Sequence, residues 1–307
     1  MGASANRTGL RKRVTSLDRV SCARLLVIEN ADTDPVGRLG EWLSAAGLEL
    51  DVLRAYEGVA LPPRLSEYAG LLVLGGAMGA HDDADAPWLP QVRAMLRDAV
   101  SGELPTLGVC LGAQLLAVAN GGEVRPNPDG PEFGAQLIAK RGVSATDPLF
   151  GPLPITPDVI QWHFDAIDVL PAGALKLASS PGCDVQAFRL GRLAWGIQFH
   201  IETTPEIVHN WASLDADALE GYDVPRLLSR ADAVHDDLLE VWQPFAVSFA
   251  EVVRDPAAVR SSRAVAISTA APITDPAAIR AALAAELTAS RGASALPMPG
   301  VRQPGHD

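Results

Sequence analysis

Apolar residues fall along this chain in two rhythms, continuous short runs and helical stripes. Residues 24–28 (Arg-Leu-Leu-Val-Ile) and 70–74 (Gly-Leu-Leu-Val-Leu) are unbroken apolar runs, the mark of parallel strands buried on both faces. Residues 48–53 read as a further strand, and residues 106–109 as a short one. Between them lie helical stripes. Asp34-Pro35 opens one with Val36, Leu39, Leu43 and Ala46 on one face and Gly47 as its stop. Leu89, Val92, Met95, Leu96 and Val100 mark another, and residues 113–118 a third, closed by Asn120, Gly121 and Gly122. Strands alternating with helices predict an α/β fold, a mostly parallel sheet flanked by helices, whose sites gather at the C-terminal ends of the strands.

From Gly121 to Phe188 the rhythm changes to short segments broken by prolines, which predicts peripheral antiparallel strands. Thr204 and Pro205 then cap and open a helix with Ile207, Val208 and Trp211 buried. A longer helix is predicted over residues 223–254, with Leu238, Trp242, Phe245, Phe249 and Val252 on one face and a kink at Pro244. Asp275-Pro276 opens a last helix ending near Leu287. The predicted organisation is a basic, disordered tail (1–22), a main domain (23–215), a helical C-terminal extension (216–290) and a Gly/Pro-rich disordered tail (291–307).

One cysteine stands out in this pattern. Cys110, flanked by Gly108 and Gly112, falls between the strand at 106–109 and the helix after it. Strand, sharp turn and helix hold a nucleophile out at the top of a sheet, and the helix N-terminus favours a negative sulfur. Far along the chain, Leu193, Trp195, Ile197, Phe199 and Ile201 alternate with Gln198, His200 and Glu202, which predicts a strand with these last three on a polar face. A carboxylate two residues from a histidine can hold one ring nitrogen while the other meets a nucleophile. His163, in Gln161-Trp-His-Phe-Asp165, is the other candidate base, with Asp165 two residues on as Glu202 is from His200; His200 is the expected base. Gly75 and Gly76, at the end of a predicted strand, are candidates for close backbone approach to a substrate.

The segments Gly-Val-Cys110-Leu-Gly-Ala-Gln114 and Gln-Phe-His200-Ile-Glu202 resemble the nucleophile and His/Glu motifs of class I, triad glutamine amidotransferases. More narrowly they are similar to stand-alone proteins like the amidotransferase domain of GMP synthase. The resemblance runs from about Arg24 to Trp211, through residues 74–78, 85–88, 122–127 and 161–165. Two positions depart from it: Ile201 and Ala77 stand where the family usually has proline. The resemblance implies a flavodoxin-like sheet and catalysis by Cys110, His200 and Glu202. It also implies an oxyanion hole from the backbone N–H groups of Gly76 and Leu111, and a glutamine pocket involving Gln114, Gly75, His163 and Phe164. Trp88 is a candidate pocket wall.

Composition narrows the partners. Among 307 residues, 48% hydrophobic and 20% charged, the net charge of −12 argues against nucleic acid. No run is long enough to span a membrane, and no apolar stretch before Arg24 reads as a signal peptide. The three cysteines, Cys22, Cys110 and Cys183, lack disulfide or zinc spacing, which points to a reducing cytoplasm. The acidic loop holding His81, Asp82, Asp83 and Asp85 reads as solvated rather than as a metal site, and no cofactor is expected.

The expected substrate is L-glutamine or another γ-glutamyl compound. No G-x-x-x-x-G-K-[ST] loop or Ser-Gly-Gly-x-Asp-Ser loop accompanies the motifs, so any ammonia released is expected to feed a separate synthetase. A free-standing amidase or peptidase on γ-glutamyl compounds is the alternative, and a non-catalytic regulatory subunit a third. Nothing in the motifs requires the helices after Trp211, which makes them the expected docking surface for a partner.

Overall fold

The computed structural model describes residues 23–259. The described part begins with β1 (Ala23–Glu29), α1 (Gly37–Ala45), β2 (Leu48–Arg54), β3 (Gly70–Val73), α2 (Leu89–Ser101), β4 (Thr106–Val109) and α3 (Leu111–Ala119). Six short strands follow: β5 (Glu123–Pro126), β6 (Glu132–Leu137), β7 (Ala139–Lys140), β8 (Asp158–His163), β9 (Asp165–Val169) and β10 (Leu175–Ser179). The main sheet is completed by β11 (Ala187–Leu190) and β12 (Ala194–Ile197), and α4 (Pro205–Leu214) and α5 (Val224–Arg254) are the last described elements.

The main sheet runs in the order β2-β1-β3-β4-β12-β11-β10-β7. β2, β1, β3, β4 and β12 are parallel, and β11, β10 and β7 add on antiparallel. The alternation of β1 explains its unbroken apolar run. Leu25 and Val27 pack with α1, α4 and α5, while Leu26 and Ile28 pack with α2 and α3 on the other face. The proline-rich middle forms two small antiparallel pairs, β5 with β9 and β6 with β8. This is the mostly parallel, helix-flanked α/β fold that the pattern predicts. None of its described helices is long and apolar enough to cross a membrane.

Three particulars differ from expectation. α1 begins at Gly37 rather than at Asp34-Pro35, and no side chain caps it. The central strand ends at Ile197, so Gln198, His200 and Glu202 do not share a strand face; His200 instead forms an isolated bridge to Ile160. Nor is that stretch half-solvated, since β12 lies between β4 and β11 and residues 193–202 are all buried.

α5 is not an appendage to the site. Its Trp242, Phe245 and Phe249 are wholly buried in the core beside α1 and α4. Trp242 lies 5.1 Å, centroid to centroid, from Phe199, the residue before His200. His235 Nε2 lies 3.3 Å from the Thr203 hydroxyl, the residue after Glu202. Truncating such an aromatic costs about 3–5 kcal/mol, so this helix is needed to hold the His/Glu segment in place. The described residues accordingly make one unit through Val259. The tail over 1–22, the helix expected at Asp275, the rest of the expected extension and the tail over 291–307 lie outside the described residues.

Candidate active site

Adjacent strands β3, β4 and β12 deliver Gly75-Gly76, Cys110 and His200 to the same edge of the sheet. Cys110 is the turn between β4 and α3, with φ 50° and ψ −110°. A side chain at positive φ costs about 1–3 kcal/mol. The surroundings hold it there: its N–H donates to Ile197 O at 2.8 Å, and its own carbonyl accepts from Ala113 and Gln114 N–H at 2.9 and 3.1 Å. The turn also needs its glycine. A Cβ at Gly112 would collide with the Val73 carbonyl on the neighbouring strand. The thiol is 7% exposed, with Gln198 Nε2 donating toward Sγ at 3.7 Å and the Trp162 carbonyl at 3.9 Å.

His200 and Glu202 are paired as predicted, through a different backbone route. His200 Nδ1 donates to Glu202 Oε1 at 2.6 Å, and Glu202 Oε2 accepts the Ile201 N–H at 2.9 Å. The carboxylate thus turns back on its own chain to meet the ring. Nε2 has no well-formed hydrogen-bond partner among the described residues, and Cys110 is close enough to act on the ring's charge. Trp211 packs on the imidazole at 4.6 Å, tilted by 57°. Burial disfavours the charged ring, yet the Glu202 and Cys110 charges outweigh it and hold the His200 pKa well above the usual histidine value.

A pocket of about 260 Å³ opens over these groups. It is small beside the roughly 300–1,000 Å³ of drug-sized sites, which suits an amino acid. Cys110, Leu111, Gly76, Gln114, His163, Phe164 and His200 all line it. The N–H groups of Gly76 and Leu111 donate to no backbone carbonyl among the described residues, and a Cβ on Gly76 would stand 3.1 Å from the Leu111 side chain. Gly75 lies behind, where a Cβ would press on Asp34 and the His200 ring. Gln114 Nε2 donates to Asp165 O at 3.1 Å and Gln198 Oε1 at 3.2 Å. Phe164 is half exposed at the mouth.

His163 is the base the structure sets aside. Its Nδ1 meets Asp165 O at 2.9 Å and its Nε2 meets Glu132 Oε2 at 3.0 Å, so neither nitrogen faces Cys110. Glu132, His163 and Cys183 lie close enough together to suggest a metal site. Glu132 already accepts hydrogen bonds from His163, Gln186 and Ser180. Burial and Glu132 push the Cys183 thiol up to about 12, so it makes a poor nucleophile. Trp88 does not wall the pocket; its Nε1 donates to Asn30 Oδ1 at 3.2 Å behind it.

Sequence reading missed Asp34, Trp211, Glu132 and Gly37. Gly37, at φ 47°, sits where a Cβ would collide with the Glu202 carbonyl, and the Arg38 N–H donates to that carbonyl at 2.9 Å. The start of α1 therefore clamps the acid of the pair. Gly37→Ala, which touches no pocket atom, is expected to lower kcat by about tenfold or more while leaving the protein folded; circular dichroism beside steady-state kinetics checks both, and an unchanged kcat would contradict the clamp.

Residues 39–210 match the family model for class-I glutamine amidotransferases, more than half of the chain. The chain belongs to this family. Class-I glutamine amidotransferases are cysteine-dependent hydrolases, and the buried Cys110 stands at the strand-to-helix turn of this one. The solved structure of a glutamine amidotransferase from Thermotoga maritima superposes with a TM-score of 0.67 at 29% identity, over 75% of this chain and 99% of its own. One from Methylobacillus flagellatus gives 0.68 at 29% identity, over 76% and 96%. In sequence the chain is 29% identical to the glutamine amidotransferase-like protein YfeJ of Salmonella typhimurium, over 60% of this chain and 78% of that one. It is 36% identical to the glutamine-hydrolysing GMP synthase of Thermomicrobium roseum over 46% of this chain, but spans only 24% of that enzyme. The amidotransferase is thus similar to the glutaminase part of GMP synthases.

Proposed function

We propose that this amidotransferase hydrolyses the side-chain amide of L-glutamine through Cys110, His200 and Glu202 and supplies the ammonia to a separate synthetase. The observation that carries the reading is the Glu202-held imidazole whose free Nε2 faces the elbow cysteine. The Cys110 thiolate attacks the amide carbon, and the developing oxyanion is met by the Gly76 and Leu111 N–H groups. As the tetrahedral intermediate collapses, the C–N bond breaks and His200 gives its proton to the departing ammonia. A γ-glutamyl thioester remains on Cys110. Water, deprotonated by the same imidazole, attacks the thioester carbonyl; the C–S bond breaks and glutamate leaves. Glu202 orients the ring and stabilises its charged form throughout.

The isolated chain is expected to be slow on glutamine, because unused ammonia would waste substrate. One misplaced oxyanion donor costs roughly 3–4 kcal/mol, on the order of a hundred- to a thousandfold, so a small peptide rotation at Gly76 suffices as a switch. Glutaminase turnover is measured for the chain alone and with candidate synthetase proteins in excess. Stimulation by one of them is the expected result. An isolated chain turning over at roughly ten per second or more, unchanged by every addition, would contradict the supply of a synthetase and favour a free-standing amidase.

A further inference from the structure

The end of the pocket beyond His200 is chemically unlike the rest of it. It is walled by Thr33, Asp34, Trp211 and Asp215, and by Trp162, whose carbonyl lies 3.9 Å from Cys110 Sγ. The wall is bonded into one piece. Trp211 Nε1 donates to Thr33 O at 2.9 Å, Trp162 Nε1 donates to Asp215 Oδ2 at 2.7 Å, and the two indoles lie 5.8 Å apart. Among the described residues no lysine or arginine lines the pocket.

Asp34 is the group without a structural explanation. It caps no helix, and it is only 7% exposed. Its side chain receives one hydrogen bond among the described residues, from the Thr33 hydroxyl to Oδ2 at 2.6 Å, and no salt bridge. Oδ1 has no donor. A Cβ on Gly75 would stand 2.5 Å from that oxygen and 3.3 Å from His200 Cε1, so the free oxygen and the imidazole border the same small space. Burial pushes the Asp34 carboxyl up, and Glu202 and Asp215 add to this while His200 opposes it. Such an acid either takes up a proton or draws a partner with N–H donors and a positive charge.

The direction of the chemistry says what that would be. The glutamyl carbonyl must sit at Cys110, and the leaving nitrogen must sit at His200, which protonates it. Any substituent on that nitrogen therefore emerges past His200, toward Asp34 and the two indoles. We propose that this end is a subsite for the cationic amine portion of a γ-glutamyl amide, so that the enzyme takes γ-glutamyl amides of diamines besides glutamine. A primary ammonium brings three donors for Asp34 Oδ1 and Asp215, and indole faces attract it further. A neutral alkyl group would leave Asp34 unpaired. A leaving group with a carboxylate, as in a γ-glutamyl dipeptide, would meet two acids, and the one cation beside them, the His200 ring, is already paired with Glu202.

The inference rests on the assignment of His200 as the acid for the leaving nitrogen, so binding and turnover are measured separately. Calorimetric titration of Cys110→Ala with N-(γ-glutamyl)-1,4-diaminobutane, its uncharged N-pentyl counterpart and γ-glutamylglycine reads the subsite without catalysis. The diamine amide is expected to bind about tenfold or more tightly than the pentylamide, and γ-glutamylglycine most weakly. Adding Asp34→Asn, which keeps shape and removes charge, should bring the diamine-to-pentyl ratio close to one, and Asp215→Asn should lower it by a smaller factor. Because a ratio is read, a general loss of affinity in either variant cancels. Equal binding of the two amides, or a preference that survives Asp34→Asn, would overturn the subsite. Release of diaminobutane by the wild-type enzyme reports the chemistry in parallel. Turnover of glutamine alone, without a binding preference, sinks the subsite and leaves the hydrolytic reading standing; a binding preference without turnover of either substrate upholds the subsite and counts against the reading of His200.

Discussion

Cys110→Ser is expected to abolish glutamine hydrolysis, lowering kcat by on the order of 10⁴-fold or more, as for removal of a nucleophile whose partners act as a unit. The substitution keeps the size and the positive-φ turn, so circular dichroism and the thermal midpoint should stay near those of the wild type. The reason is chemical. Serine at this turn has to lose its proton to the same imidazole, and an alkoxide is far harder to form than a thiolate. The surrounding contacts, the Gln198 amide and the Trp162 carbonyl, are weak and serve sulfur as well as oxygen. Activity within tenfold of wild type would mean that the elbow cysteine is not the attacking group.

His200→Ala should be the second largest loss, about 10²–10⁴-fold for a general acid–base group, with Glu202→Gln falling between it and the wild type. Glu202 has two acceptor oxygens for two donors, the His200 Nδ1–H and the Ile201 N–H. Glutamine offers one acceptor and a donor, so one contact turns unfavourable. A hydrogen bond to a charged group contributes about 1.5–3 kcal/mol, roughly 10–150-fold in rate. The pH profile separates this from simple misfolding. Glu202 raises the His200 pKa against the opposing effect of burial, so its neutralisation should move the alkaline limb of kcat to lower pH. For stability the direction follows from the same shift. A folded pKa above the unfolded one makes the charged His200 stabilising at low pH, and that stabilisation is lost as pH rises through the raised value. Glu202→Gln should therefore flatten the fall in stability on the alkaline side of the ordinary histidine range. Identical pH–rate profiles for Glu202→Gln and wild type would show that the pair does not act on the reaction.

The parts of this site legible in the sequence are those that local pattern dictates. The apolar runs at 24–28, 70–74 and 106–109 became β1, β3 and β4, and the glycines around Cys110 marked the turn that the backbone adopts. The His200–Glu202 contact also followed from the sequence, though not by the expected geometry. Alternation over 193–202 suggested one long strand, whereas the strand stops at Ile197 and the acid folds back onto the Ile201 N–H. Alternation cannot separate these cases when both sets of residues are buried. Asp34 was hidden for another reason. Asp-Pro before an apolar stripe is a helix-start pattern, and only the path of the β1–α1 connection over the strand ends turns that side chain into the pocket. α5 was hidden likewise, since an amphipathic helix shows that one face is covered but not by what. Its apolar face turned out to lie against Phe199.

The central claim is that glutamine is cleaved through a thioester on Cys110. Its most direct test is rapid acid quenching of enzyme and glutamine in the presence of any stimulating protein, followed by peptide mass spectrometry. The account predicts one γ-glutamyl group on the peptide carrying Cys110, none on those carrying Cys22 or Cys183, and none at all in Cys110→Ser. Steady hydrolysis of glutamine with no covalent adduct on Cys110 at any time, or an adduct on another residue, would contradict it.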